Sequence, residues 1–142
     1  MVMTRQDDST VQLDERIEMA NSSQAAILVS IHQDFAPDET ANGTTTYYYS
    51  GDNMPEKGVA SEKAAQVLQA NLMKRLDTQD PGTCTAKLRM LSDTQMPAVM
   101  TNIAYLSNES DREKLLTGEF QNNAAQALYD GILEFLKERE PR

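Results

Sequence analysis

Ala26-Ile27-Leu28-Val29-Ser30-Ile31-His32 is an apolar run that delivers the single histidine of the chain. A second run, Pro97-Ala98-Val99-Met100-Thr101, delivers Asn102 and continues into Ile103-Ala104-Tyr105-Leu106-Ser107-Asn108. Short continuous runs rich in Val and Ile read as strands buried on both faces of a mostly parallel sheet. Ligands and catalytic groups of open α/β sheets collect at the carboxyl ends of the strands. His32 and Asn102 are therefore expected at the mouths of two buried strands, where chemistry is to be sought.

Working outward, further strands are expected at 1–4, at 44–49 (rich in threonine and tyrosine) and at 87–91. Leu13, Ile17 and Ala20 recur at helical spacing and predict a helix over 11–23, opened by a Ser9/Gln12 capping box. Ala60, Ala64, Leu68, Leu72 and Leu76 form an apolar stripe that predicts a long helix over 57–77. Ser110 with Glu113 predicts a second capping box and a short helix closed by Gly118. Ala124, Leu128, Ile132 and Phe135 stripe the last helix, to about residue 138. Strands alternating with helices imply an α/β fold, a twisted, mostly parallel sheet between helix layers. No repeat or linker divides residues 1–142, so one domain is expected.

Composition narrows the function classes. Thirteen basic against 22 acidic residues leave a net charge of −9, which argues against nucleic acid and against anionic membrane surfaces as partners. No apolar run approaches the roughly 18 residues of a membrane span. Residues 1–8 lack the charged and apolar regions of a signal peptide. Cys84 is the one cysteine, which excludes an internal disulfide. It is expected as a small buried or half-buried residue just before a strand, with no second histidine to activate it.

The motifs V-S-I-H at 29–32 and P-A-V-M-T-N-I-A-Y-L-S-N at 97–108 resemble two motifs of the zinc-dependent N-acetylmuramoyl-L-alanine amidases, the cell-wall amidase 3 family. Thr4-Arg5, the pattern Leu13, Arg16, Ala20, Asn21, and Gly43 ahead of the tyrosine strand follow in the family's order. The resemblance implies a peptidoglycan hydrolase that cleaves the amide between N-acetylmuramic acid and L-alanine outside the cell, at the wall or in the periplasm. It also implies a zinc ion held by a histidine of a G-H-G stretch, by a glutamate on the first helix and by the S-I-H histidine. Of these donors the chain carries His32 alone, and the family's first strand and helix would precede Met1. The family's catalytic glutamate falls at Asn102.

An amide cannot take and return a proton, and losing a general acid or base typically costs about 100- to 10,000-fold. The enzyme implied by resemblance is therefore expected to be inactive as written, its zinc site incomplete. His32 reads either as a ligand by ancestry or as a structural residue. Asn102 reads either as a residue that positions substrate by hydrogen bonding or as a polar cap on a strand end. Asp34 shares a face with His32 if the strand continues, while Asp38 and Glu39 read as a solvated acidic loop. Arg5, Arg16 and Asn21 read as structural. Two origins fit the departures: a sequence whose start lies upstream of Met1, or a degenerate domain that binds cell-wall glycopeptide or a protein without cleaving. Either leaves residues 2–4 and 26–31 as open strand edges, and a homodimer through such an edge is expected.

Overall fold

Three strands run beside or near Ala98–Tyr105, and the sheet is built around it. The structure, a computed structural model, describes residues 1–51 and 54–139. In chain order the elements are α1 (Leu13–Ser22), β1 (Leu28–Asp34), β2 (Thr45–Tyr48), α2 (Pro55–Arg75), β3 (Gly82–Thr85), α3 (Arg89–Ser92), β4 (Ala98–Tyr105), α4 (Glu109–Leu115) and α5 (Gly118–Arg139). The strand order is β1-β4-β2-β3. β1 pairs with β4 and β2 with β3 in parallel, whereas β2 and β4 are antiparallel. The mostly parallel α/β sheet expected from the sequence is therefore present.

The α2 stripe behaves as its spacing predicts: Ala64, Leu68 and Leu72 are fully buried. Pro55 opens the helix, where a missing N–H costs no hydrogen bond. α5 lies against α2, and the two cover one sheet face through Tyr48, Val99, Ile103 and Ala104. Gly131 sets their spacing, since a Cβ there would lie 3.2 Å from the Leu68 Cα. Each fully buried leucine in this layer contributes about 1.5–3 kcal/mol relative to exposure.

Helix starts differ from the expected caps by a few residues. α1 opens at Gln12, whose backbone N–H donates to Glu15 Oε2 at 3.2 Å. α4 opens at Asn108, whose Oδ1 accepts from the Asp111 N–H at 3.1 Å. The Arg16 Nε donates to the Val11 carbonyl at 2.9 Å. Asn21 donates to the Asp93 carbonyl and accepts from the Gln95 N–H, tying α1 to the turn before β4. These are the structural roles expected of Arg16 and Asn21.

Four local expectations fail. Residues 1–4 form no strand, and Met1, Val2 and Met3 are exposed: a short apolar run without a sheet neighbour has nowhere to place its hydrogen bonds. The strand expected at 87–91 is displaced to Gly82–Thr85, and α3 takes 89–92 because Met90 and Leu91 are both buried there. Cys84 accordingly sits on an edge strand, exposed rather than buried. Finally, β1 is not buried on both faces: it is an edge strand with Ile31 58% exposed, which answers the open edge expected at 26–31 and not the buried strand expected there.

Candidate functional site

His32 and Asn102 do not end their strands. β1 runs on to Asp34 and β4 to Tyr105, so both residues lie within the sheet, side by side in register. Thr45 of β2 lies opposite Asn102 on the other flank. Residues directly paired across strands share a face. His32, Asn102 and Thr45 thus form one row on the face opposite α2, and Ser30, Met100 and Tyr47 form the next.

The register then slips. From His32 to Asp34 β1 advances two residues while β4 advances from Asn102 to Tyr105. The extra residue in β4 is a bulge, which re-aims the side chains that follow it. Ile103 and Ala104 both enter the core beneath α2 and α5, and Tyr105 comes to the His32 face. Its neighbours there are Asp34 and Tyr47. Burial pushes the Tyr47 phenol up to about 12, and Tyr105 and Asp34 add to the rise by disfavouring a phenolate beside them.

The bulge is held by a buried carboxylate. Asp111 is 3% exposed, and its Oδ2 accepts from the Gly43 N–H at 2.8 Å and from the Tyr105 N–H at 3.0 Å. Gly43 has φ +107°, a conformation that favours glycine, and a Cβ there would lie 2.6 Å from the Gln79 carbonyl oxygen. One side chain thereby joins the entry to β2, the end of β4 and the start of α4.

Asn102 stands apart from this satisfied network. It is 1% exposed, and neither its Oδ1 nor its Nδ2 has a hydrogen-bond partner. Most buried polar side-chain atoms are paired. His32 beside it is exposed, and Ser30, Tyr47 and Tyr105 are half-buried.

The donor set does not fit a zinc ion. Such a site needs three protein ligands and an open position. Among the described residues no group of three His, Cys, Asp or Glu side chains is placed to hold a metal. Asp34 does share the His32 face, but its carboxylate accepts from the Phe35 N–H. Asp38 is engaged in its own loop by the Thr40 N–H and hydroxyl, which hold its carboxyl below the usual range. Tyr105 and Asp111 were not singled out by sequence reasoning. Asp111 falls on a helix stripe that reads as exposed, and a bulge leaves no mark in strand periodicity.

Among the described residues no helix is long and apolar enough to cross a membrane. A family model described as N-acetylmuramoyl-L-alanine amidase matches residues 1–134. The chain is 32% identical over 136 residues to the N-acetylmuramoyl-L-alanine amidase LytC of Bacillus subtilis (strain 168), which covers 96% of this chain and 27% of that protein. It is 34% identical over 134 residues to the uncharacterized protein YqiI of the same strain, covering 92% and 61% respectively. The chain thus spans less than two thirds of either relative. The catalytic domain of CwlV, an N-acetylmuramoyl-L-alanine amidase from Bacillus (Paenibacillus) polymyxa var. colistinus, superposes with a TM-score of 0.87 at 33% identity, over 96% of this chain and 72% of that one.

Proposed function

From the premise that the chain belongs to the N-acetylmuramoyl-L-alanine amidase family, we propose that it is a peptidoglycan-directed domain whose target is the amide between N-acetylmuramic acid and L-alanine, and that it is impaired in cleaving that bond. The observation that carries the impairment is Asn102. A carboxamide stands in register with His32, and it can donate and accept hydrogen bonds but cannot shuttle a proton.

The family's chemistry uses zinc to polarise the scissile carbonyl and to activate water. The described residues do not by themselves gather the donors for that ion. What they offer is a recessed amide, an imidazole and two phenols on one face. Those groups bind and orient a glycopeptide; they do not supply a general base at position 102. The second reading, a non-catalytic module that holds cell-wall glycopeptide or a protein partner, rests on the same residue.

Residues 1–142 act in this reading as one domain, at the cell wall or in the periplasm. The free edge of β1, where Ile31 is exposed, pairs with a second copy, since an unpaired strand edge is a template for another strand.

Purified sacculi separate the readings. The protein is expected to co-sediment with sacculi and to release no L-alanine-terminated peptides, with or without added zinc. Release of such peptides would overturn the impairment, and failure to co-sediment would overturn the peptidoglycan reading itself.

A further inference from the structure

We propose that Asn102 grips the main chain of a bound peptide, its carboxamide accepting from the N–H and donating to the C=O of one extended residue. This rests on the glycopeptide reading above and names the part of the ligand that the site would hold.

Three buried side-chain polar atoms lack partners among the described residues: Thr101 Oγ1 and both polar atoms of Asn102. Thr101 lies on the face packed beneath α2 and α5 and is fully buried. Asn102 lies on the other face, between exposed His32 and buried Thr45 in its own row, with half-buried Ser30, Met100 and Tyr47 in the next. A buried carboxamide left wholly unpaired is costly, and such a group calls for a partner that the chain itself does not supply.

The chemistry of the two atoms then selects the ligand. An ammonium group satisfies Oδ1 and leaves Nδ2 unpaired. A carboxylate satisfies Nδ2 and opposes Oδ1 with another acceptor. A hydroxyl, alone or with its neighbour on a sugar ring, can also donate to Oδ1 and accept from Nδ2, and an Asn102 signal that ignores both peptide probes below would leave a hydroxyl as the group held. One residue of an extended peptide presents its N–H and C=O along the same edge, as each residue of a hydrogen-bonded strand pair does. That edge matches a carboxamide, one donor to one acceptor in both directions. In a muramoyl peptide the first such residue is the L-alanine next to the sugar acid. His32, one strand away in the same row, lies on the flank where the sugar acid or the next residue would continue.

The test uses the full chain and two small probes. N-acetyl-L-alanine methylamide carries the N–H and C=O pair; its depsipeptide analogue replaces the alanine N–H by an ester oxygen. The Asn102 side-chain NH2 signal in a nitrogen–proton NMR spectrum is expected to move on titration with the first probe and to respond at least tenfold more weakly to the second. Asn102→Leu is expected to weaken binding of the first probe at least tenfold while raising Tm, because it replaces an unpaired polar group by an apolar one of similar size. Asn102→Asp keeps the acceptor and loses the donor, so it too should bind at least several-fold more weakly; it supplies the comparison should the leucine variant fail to fold.

An unmoved Asn102 signal, or equal binding by the variants, overturns the grip. Sacculus binding that persists in Asn102→Leu overturns the grip and leaves the peptidoglycan reading standing. A shifted Asn102 signal with no sacculus binding supports the grip and removes peptidoglycan as the ligand.

Discussion

Replacing Asp111 by alanine tests the cross-link that shapes the candidate site. The substitution removes the acceptor of two backbone donors, the buried Gly43 N–H and the half-buried Tyr105 N–H. Each buried donor left without a partner costs about 1–3 kcal/mol, so the loss is about 2–5 kcal/mol after partial rehydration. With about 2.1 cal/mol/K of unfolding entropy per residue, each kcal/mol lowers Tm by about 3 °C in a chain of this length. A fall of roughly 6–15 °C is therefore expected. Asp111→Asn keeps one acceptor oxygen and is expected to lose about half as much or less. Urea unfolding measures the loss, with the slope m unchanged if the denatured state is unaffected. Hydrogen exchange adds a local readout: the amides of Gly43 and Tyr105 should lose protection before the rest of β4. A loss below about 0.5 kcal/mol, the range of ordinary surface substitutions, would show that those donors find other partners.

The Tyr47 phenol, pushed up to about 12, should be the last tyrosine to ionise in an ultraviolet titration. Because the unfolded chain gives up that proton near pH 10 and the folded chain keeps it, this contribution to stability is whole below pH 10 and is lost as the pH rises toward about 12; Tyr47→Phe should flatten the decline. Ile31→Lys places a charge on the open edge of β1 and should abolish concentration-dependent association in light scattering; a wild-type chain that stays monomeric at high concentration would dismiss the edge dimer. Gly131→Leu drives a side chain against the Leu68 Cα, 3.2 Å from a Cβ at that position, and should cost about 1–3 kcal/mol in chemical denaturation. Elemental analysis of the dialysed protein should find far less than one zinc per chain; stoichiometric, chelator-resistant zinc would show donors that the described residues do not gather.

The long elements were legible because burial leaves a period in the sequence. α2 and the last helix carry apolar residues at helical spacing, and those side chains are the ones enclosed. β2 and β4 were legible from β-branched runs beneath that layer. The reading failed where the chain gives no period. β3 is four residues long, too short to separate from the apolar turn at Met90 and Leu91. The apolar start at 1–4 had the composition of a strand but no neighbour in the sheet. At the site, His32 and Asn102 were expected at the ends of two strands; that they pair side by side, and within the strands, was not legible. A polar residue in an apolar run looks like a terminus, because burial of an unpaired amide is rare. Tyr105 was missed because a bulge reverses the alternation from which facing is read.

The place of β4 also bears on the order in which the molecule can be made. β2, α2 and β3 form a local parallel unit that can close as soon as it is synthesised. β1 has no such option: among the described residues its strand partner is β4, which begins some 70 residues later. β4 lies between β1 and β2, so the pairings of both with it wait until β4 has been made. During synthesis β1 therefore leaves the ribosome with both edges open and waits for the rest of its sheet. At about 5–20 residues per second that wait lasts several seconds, the interval in which a chaperone or a neighbouring nascent chain would find it.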